Sequence, residues 1–236
     1  MFIEFGFLSI LVCLFLNIFT ILNLYFLFFS FNFDRKKILI LFLSQFLLLF
    51  SSLISVLYSL FIDDFSLLYT YSNSNSNLPF IYKFSALWGA HEGSFLLFVF
   101  LFSFWNLFFF IFGPRFEKKI EITLFFVLSF IKFLLLLLLI FVSNPFERII
   151  DNIPIDGMDL NPLLQDINLT IHPPILYLGY IGFSIPFSFS ISLLFNNQLD
   201  FKYFTYIYPW ILISFSLLTF GIFIGSLWAY YELGWG

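Results

Sequence analysis

Six blocks of almost uninterrupted apolar residues, set apart by polar intervals, dominate the pattern of this 236-residue chain. They run near Phe5–Phe33, Ile38–Phe61, Phe95–Phe112, Ile122–Val142, Ile175–Phe195 and Ile207–Ser226. As helices rising about 1.5 Å per residue, all are long enough to cross roughly 30 Å of hydrocarbon. The pattern predicts an all-α fold, a polytopic transmembrane bundle of about six spans. No internal repeat and no linker divides it, so residues 1–236 read as a single membrane domain.

The polar intervals are unequal. Residues 62–94 contain the turn-forming run Asn73-Ser74-Asn75-Ser76-Asn77, and residues 143–174 contain Pro145, Pro154, Pro162 and Pro173. Long intervals of this kind are where function concentrates. Charge orients the bundle. The intervals after blocks one, three and five carry Arg35, Lys36, Lys37, Arg115, Lys118, Lys119 and Lys202, whereas those after two and four carry only Lys83 and Arg148 as basic residues. By the positive-inside rule the two long intervals face the outer side, periplasm or intermembrane space.

Composition changes this picture in one respect. Hydrophobic residues make up 61% of the chain and charged ones 10%, whereas a soluble domain carries roughly a quarter charged. There are 42 Phe, while Ala occurs only at Ala86, Ala90 and Ala229. Phe, Leu, Ile, Tyr and Asn have A/T-rich codons, so an A/T-biased organelle genome accounts for the profile, and the mitochondrial inner membrane is the expected location, with a bacterial inner membrane as the alternative. Met1-Phe2-Ile3-Glu4 leads straight into the first block with no basic segment before it, which fits insertion from the side of synthesis rather than import. The lone Cys13 excludes an internal disulfide, a CxxC metal knuckle and a CxxCH haem attachment. With a net charge of −4, no nucleic-acid partner is expected; the surrounding partner is membrane lipid.

Few residues carry chemistry. His172 precedes Pro173 and Pro174, which are expected to open the fifth span and to hold His172 extended at the membrane boundary, either as an interfacial anchor or as a metal ligand. His91 and Glu92, in Trp88-Gly89-Ala90-His91-Glu92-Gly93-Ser94, read as a turn and helix-entry device. Lys132 is the one charge well inside a span; it must face the bundle or a polar cavity unless the helix shifts to let it snorkel. Gly179 and Gly182, with Pro186 and Ser190, and the Gly221-Ile222-Phe223-Ile224-Gly225 pattern permit close helix contact, within the chain or with another.

The longer runs are more specific. Ser85 to Ser94, then Asp159-Leu160-Asn161-Pro162-Leu163-Leu164-Gln165-Asp166, then Ile171-His172-Pro173-Pro174 through Tyr180, and finally Gly225 through Gly236 with its Gly-Trp ending, follow in order. Together they resemble the N-terminal part of the CcmF family, haem lyase components of cytochrome c maturation. The resemblance implies a transient haem site on the outer face, with His172 as one axial ligand and Trp228 and Trp235 beside a haem platform. It implies apocytochrome c and other cytochrome c maturation proteins as partners. The family's tryptophan-rich WWD segment, its second outer histidine and its two membrane histidines have no counterpart here. A split protein, completed by a second haem lyase polypeptide carrying the WWD segment, is therefore expected. A structural subunit retained in a respiratory membrane assembly without lyase activity is the alternative. A transporter subunit, suggested by Lys132, would need a chain of polar partners through the bundle.

Overall fold

The computed structural model describes residues 2–30, 34–198 and 200–235. Nine α-helices are found among them: α1 (Phe2–Ser30), α2 (Arg35–Phe61), α3 (Leu68–Asn73), α4 (Phe80–Ala86), α5 (His91–Phe112), α6 (Lys118–Phe141), α7 (Ile167–Gly182), α8 (Ser184–Phe195) and α9 (Lys202–Leu233). Helices α1, α2, α5, α6 and α9, and α7 with α8 taken together, are long and apolar enough to cross a bilayer. The chain is an all-α, multi-pass membrane protein.

The helices overrun the apolar blocks. Helix α5 begins at His91 and not Phe95, α6 at Lys118 and not Ile122, and α9 runs from Lys202 to Leu233 and not from Ile207 to Ser226. Hydropathy reports the slab of hydrocarbon, whereas a helix continues until its ends are capped. Asp34 caps α2 by accepting from the Lys36 amide at 3.0 Å. Gly234, at φ 72°, ends α9 in the left-handed conformation that favours glycine. The predicted end of the first span at Phe33 lies outside the described residues.

Helices α1, α2, α5 and α6 form a ring in which each packs on the next. Its centre is not purely apolar. Asn17 Nδ2 donates to the Ser129 carbonyl at 2.9 Å, Gln45 Nε2 donates to Thr20 Oγ1 at 2.8 Å, and Asn106 is fully buried. At the short-loop end Arg35 clamps the ring. Its guanidinium donates to both oxygens of Glu121, at 2.7 and 2.8 Å, and to the Phe110 carbonyl at 2.5 Å, while lying 4.3 Å above the Phe110 ring. A fork of this kind suits a two-oxygen acceptor.

Helices α7, α8 and α9 form an arm against one side of the ring. Trp105 Nε1 on α5 donates to the Leu178 carbonyl at 2.9 Å, and Ser192 Oγ on α8 donates to the Ile120 carbonyl at 2.7 Å. The predicted fifth span is broken at Phe183, because Pro186 cannot donate to the Gly182 carbonyl and fits instead in the first turn of a new helix.

The two long intervals fold over the ring as a cap. Leu68 N donates to Glu147 O at 2.9 Å and Met158 N to Tyr71 O at 2.7 Å, joining the intervals by backbone. Lys83 Nζ reaches both oxygens of Asp63, at 2.5 and 2.6 Å. The predicted Asn-Ser turn is held by Asp156, which accepts from the Ser76 amide and hydroxyl, both at 2.9 Å. These bonds, with that of the Gly157 amide, hold the Asp156 carboxyl below its ordinary range.

Candidate functional site

The Asp166 carboxylate starts α7 by accepting from the Asn168 amide at 2.7 Å and the Leu169 amide at 3.2 Å. The helix then runs through His172, Pro173 and Pro174. This corrects the expectation that the prolines open the span with His172 extended before them. An aspartate cap followed by tight packing against α9 outweighs the loss of two backbone donors, which deprives the Leu169 and Thr170 carbonyls of their usual helical partners. His172 is thus fixed as a helical residue facing α9.

The seam between α7 and α9 is built from backbones in contact. A Cβ added at Gly179 would come within 2.2 Å of the Leu218 nitrogen, and one at Gly221 within 2.8 Å of the Leu176 Cα. Small residues of this kind allow helices to approach closely in lipid. The Gly221 and Gly225 face is accordingly occupied within the chain, on α7, and is not free for another polypeptide. His172 sits at the end of this seam, where its Nδ1 lies 2.7 Å from the Gly221 carbonyl. Its ring rests against Gly225, at which a Cβ would come within 2.5 Å of Cε1 and 2.7 Å of Nδ1.

Trp228 lies one turn beyond Gly225 on α9 and donates from Nε1 to the Leu163 carbonyl at 3.3 Å. That bond ties the far part of α9 to the short 3-10 turn Pro162–Leu164, just ahead of α7. His172 and Trp228 therefore share one seam. Trp235 stands outside it, 70% exposed.

The other sequence candidates lie elsewhere. His91 opens α5, and its Nε2 is 2.7 Å from Ser143 Oγ at the end of α6, with the ring stacked on Phe95. It joins two ring helices, in keeping with a turn and helix-entry role. Glu92 lines a cleft of about 250 Å³ beneath the cap, together with Tyr69, Asn73 and Glu147. Tyr69 is buried there and donates to the Ala86 carbonyl at 2.7 Å; burial pushes its hydroxyl far above the ordinary tyrosine range. Gly93 is required by this arrangement, since a Cβ would fall 2.2 Å from Tyr69 Oη.

Lys132 points into the ring, fully buried, with Nζ 5.3 Å from the centre of the Phe42 ring. Among the described residues its amine makes no hydrogen bond, and the same holds for the side chains of Asn106 and for the hydroxyls of Ser52, Ser103 and Ser129. This polar interior was missed in the sequence. A search for charged partners of Lys132 passes over single Asn, Gln and Ser residues, and only the assembly of four helices brings them together. The available signal was the presence of amide side chains, Asn17, Gln45 and Asn106, within otherwise apolar blocks.

The imidazole of His172 is a donor that would suit haem iron. A carbonyl oxygen only accepts, so the Nδ1 of a neutral His172 carries the hydrogen and Nε2 keeps its lone pair. No hydrogen bond occupies Nε2 among the described residues.

Comparison with known proteins adds the following. A family model described as "Cytochrome C assembly protein" matches residues 88–236. The cytochrome c-type biogenesis protein CcmF of Escherichia coli is 48% identical over 175 residues, covering 74% of this chain and 27% of that protein. CcmF of Haemophilus influenzae is 42% identical over 192 residues, covering 80% and 30%. The chain thus spans less than a third of the length of these relatives. In the solved structure of a cytochrome c haem lyase CcmF, 37% of the chain matches the whole of the present one, with a TM-score of 0.81 at 21% identity, a likeness of fold.

Proposed function

This chain belongs to the cytochrome c assembly protein family, and from that membership we propose that it is a membrane subunit of a cytochrome c maturation haem lyase. It helps to present haem, as the transferred substrate, to apocytochrome c. The observation that carries the reading is the state of His172, held on the α7–α9 seam with Nδ1 engaged and Nε2 available. The matched residues 88–236 include it.

The chain's own residues do three things in this reading. His172 would hold the haem iron through Nε2. Trp228, anchored to the Leu163 carbonyl, and Trp235 would lie beside the haem. The glycine seam would hold the base of the site closed on one side, where the His172 ring rests against Gly225. Haem and the acceptor thiols bring the bond-forming groups themselves. In this reading a second ligand and a WWD platform would be supplied from outside these residues, which span less than a third of the relatives' length, and other cytochrome c maturation proteins are the partners.

We place the capped end on the outer face, supported by the basic residues at the other end. The Phe-rich, Ala-poor composition favours the mitochondrial inner membrane; the relatives named above are bacterial, and a bacterial inner membrane is the second reading. Cysteine labelling from the outer side should reach position 75 and not position 36; the reverse would overturn the orientation. His172→Ala should abolish c-type cytochrome assembly while the chain still accumulates in the membrane. Normal cytochrome c in that variant would favour the alternative, a structural subunit retained in a respiratory assembly.

A further inference from the structure

Gly221 and Gly225 do more than bring two helices together. The Gly221 carbonyl can act only as an acceptor, so at 2.7 Å it selects the His172 tautomer with hydrogen on Nδ1. Gly225 supplies the space. A Cβ there would lie within 2.5 Å of Cε1, 2.7 Å of Nδ1 and 3.1 Å of Nε2, on the ring itself. On the other side, α7 is held against α9 by the Gly179 contact with the Leu217 and Leu218 backbone. The imidazole is therefore confined between a notch and an acceptor, neither of which depends on a mobile side chain.

We propose that the Gly221 carbonyl and the Gly225 notch are a positioning device that fixes the tautomer and direction of His172, presenting a bare Nε2 lone pair to the iron of a haem. The proposal rests on the ligand role argued above for His172 and adds what sets its geometry. A carbonyl partner on the distal ring nitrogen orients a ligating imidazole and raises its basicity, and loss of such a partner weakens metal binding about 10–100-fold. Gly221 and Gly225 are positioning residues, since they act through His172.

The test uses the His172→Gly variant, purified in detergent with whatever polypeptides accompany it and titrated with ferric haem. Two added ligands of equal size separate the outcomes. 4-Methylimidazole keeps a ring N–H that can donate to the Gly221 carbonyl; 1-methylimidazole has none. The readout is the optical spectrum of six-coordinate, low-spin haem, independent of any lyase turnover. The expected result is a low-spin spectrum with 4-methylimidazole at concentrations about 10–100-fold below those needed with 1-methylimidazole, after subtracting the ligands' ratio for haem free in the same detergent. Equal restoration by both, on that corrected scale, would overturn the positioning role and leave ligation standing. Restoration by neither, or wild-type protein that gives no low-spin spectrum, would overturn ligation itself. A second measurement avoids added ligands. Gly225→Ala should weaken low-spin haem binding in protein that still accumulates, and unchanged binding there would also count against the notch.

Discussion

The ring of α1, α2, α5 and α6 and the seam of α7 with α9 hold helices together in opposite ways. In the ring, long side chains meet across a centre containing Asn17, Gln45, Asn106 and Lys132, several of whose polar atoms make no hydrogen bond among the described residues. In the seam, glycines let backbone touch backbone, leaving no room for a side chain at Gly179 or Gly221. Lipid tails are as apolar as Leu, so burial of apolar surface drives neither region together; packing and hydrogen bonds must. The seam relies on shape, and shape has no slack. The ring relies on polar contacts and keeps some unmade, which leaves it tolerant of change and open to improvement.

Gly179→Leu tests the seam most severely. With a Cβ already 2.2 Å from the Leu218 nitrogen, α7 and α9 must part, and a loss exceeding about 4 kcal/mol is expected. Protein levels in membranes and thermal unfolding in detergent would register it; a Leu variant as stable as the wild type would end the contrast. At the ring's clamp, Glu121→Gln should cost about 3 kcal/mol, because the Arg35 charge loses its carboxylate. Combining it with Arg35→Met should recover much of that loss, since the pair as a whole is worth less than the damage from breaking it. Lys132→Met reverses the sign. Removal of a buried amine with no hydrogen-bond partner among the described residues should stabilise the ring by about 1–3 kcal/mol, seen as a higher unfolding temperature. A marked destabilisation would mean that the amine is solvated inside the ring, and the contrast would need redrawing.

The cap gives the smallest effect, and one that depends on pH. The Asp156 carboxyl titrates below its unfolded value, so its contribution is complete above the ordinary carboxylate range of about pH 4 and is lost as pH falls through the lowered value. Exchange of the Ser76 amide should therefore quicken only in strong acid, and Asp156→Asn should exchange quickly at neutral pH as well. An amide protected equally in both proteins at pH 7 would show that the turn holds without the carboxylate.

Six spans were legible because hydrocarbon imposes a length on apolar blocks; five blocks each found one helix, and the fifth in order is divided between α7 and α8. What lay outside the hydrocarbon was harder to read. Pro173 and Pro174 suggested a helix start, yet the Asp166 cap governs, since two missing donors are affordable when an aspartate and a glycine seam hold the rest. His172 was legible as a candidate from its setting among Gln165, Asp166 and the two prolines. Its partner was not, because a backbone carbonyl at Gly221 has no letter in a sequence. The glycines themselves were visible, and only the pairing of α7 with α9 decided that they serve this chain. In the ring, Lys132 was singled out alone, whereas the amides and hydroxyls buried with it come from all four ring helices.

Helix α9 has a length that matters beyond its contacts. Its 32 residues extend about 48 Å, against roughly 30 Å of hydrocarbon. Tilted by about 40°, near the steep limit for spanning helices, it would use about 39 Å in crossing, and about six residues would stand clear. The turns from Trp228 to Leu233 then form a rigid post rising from the bilayer, braced at its foot by the Leu163 carbonyl. A post of fixed height is a gauge. Whatever grips it is held at a set distance from the lipid, and adding or deleting four residues would raise or lower that partner by about 4.6 Å at that tilt while turning the face of the helix by about 40°.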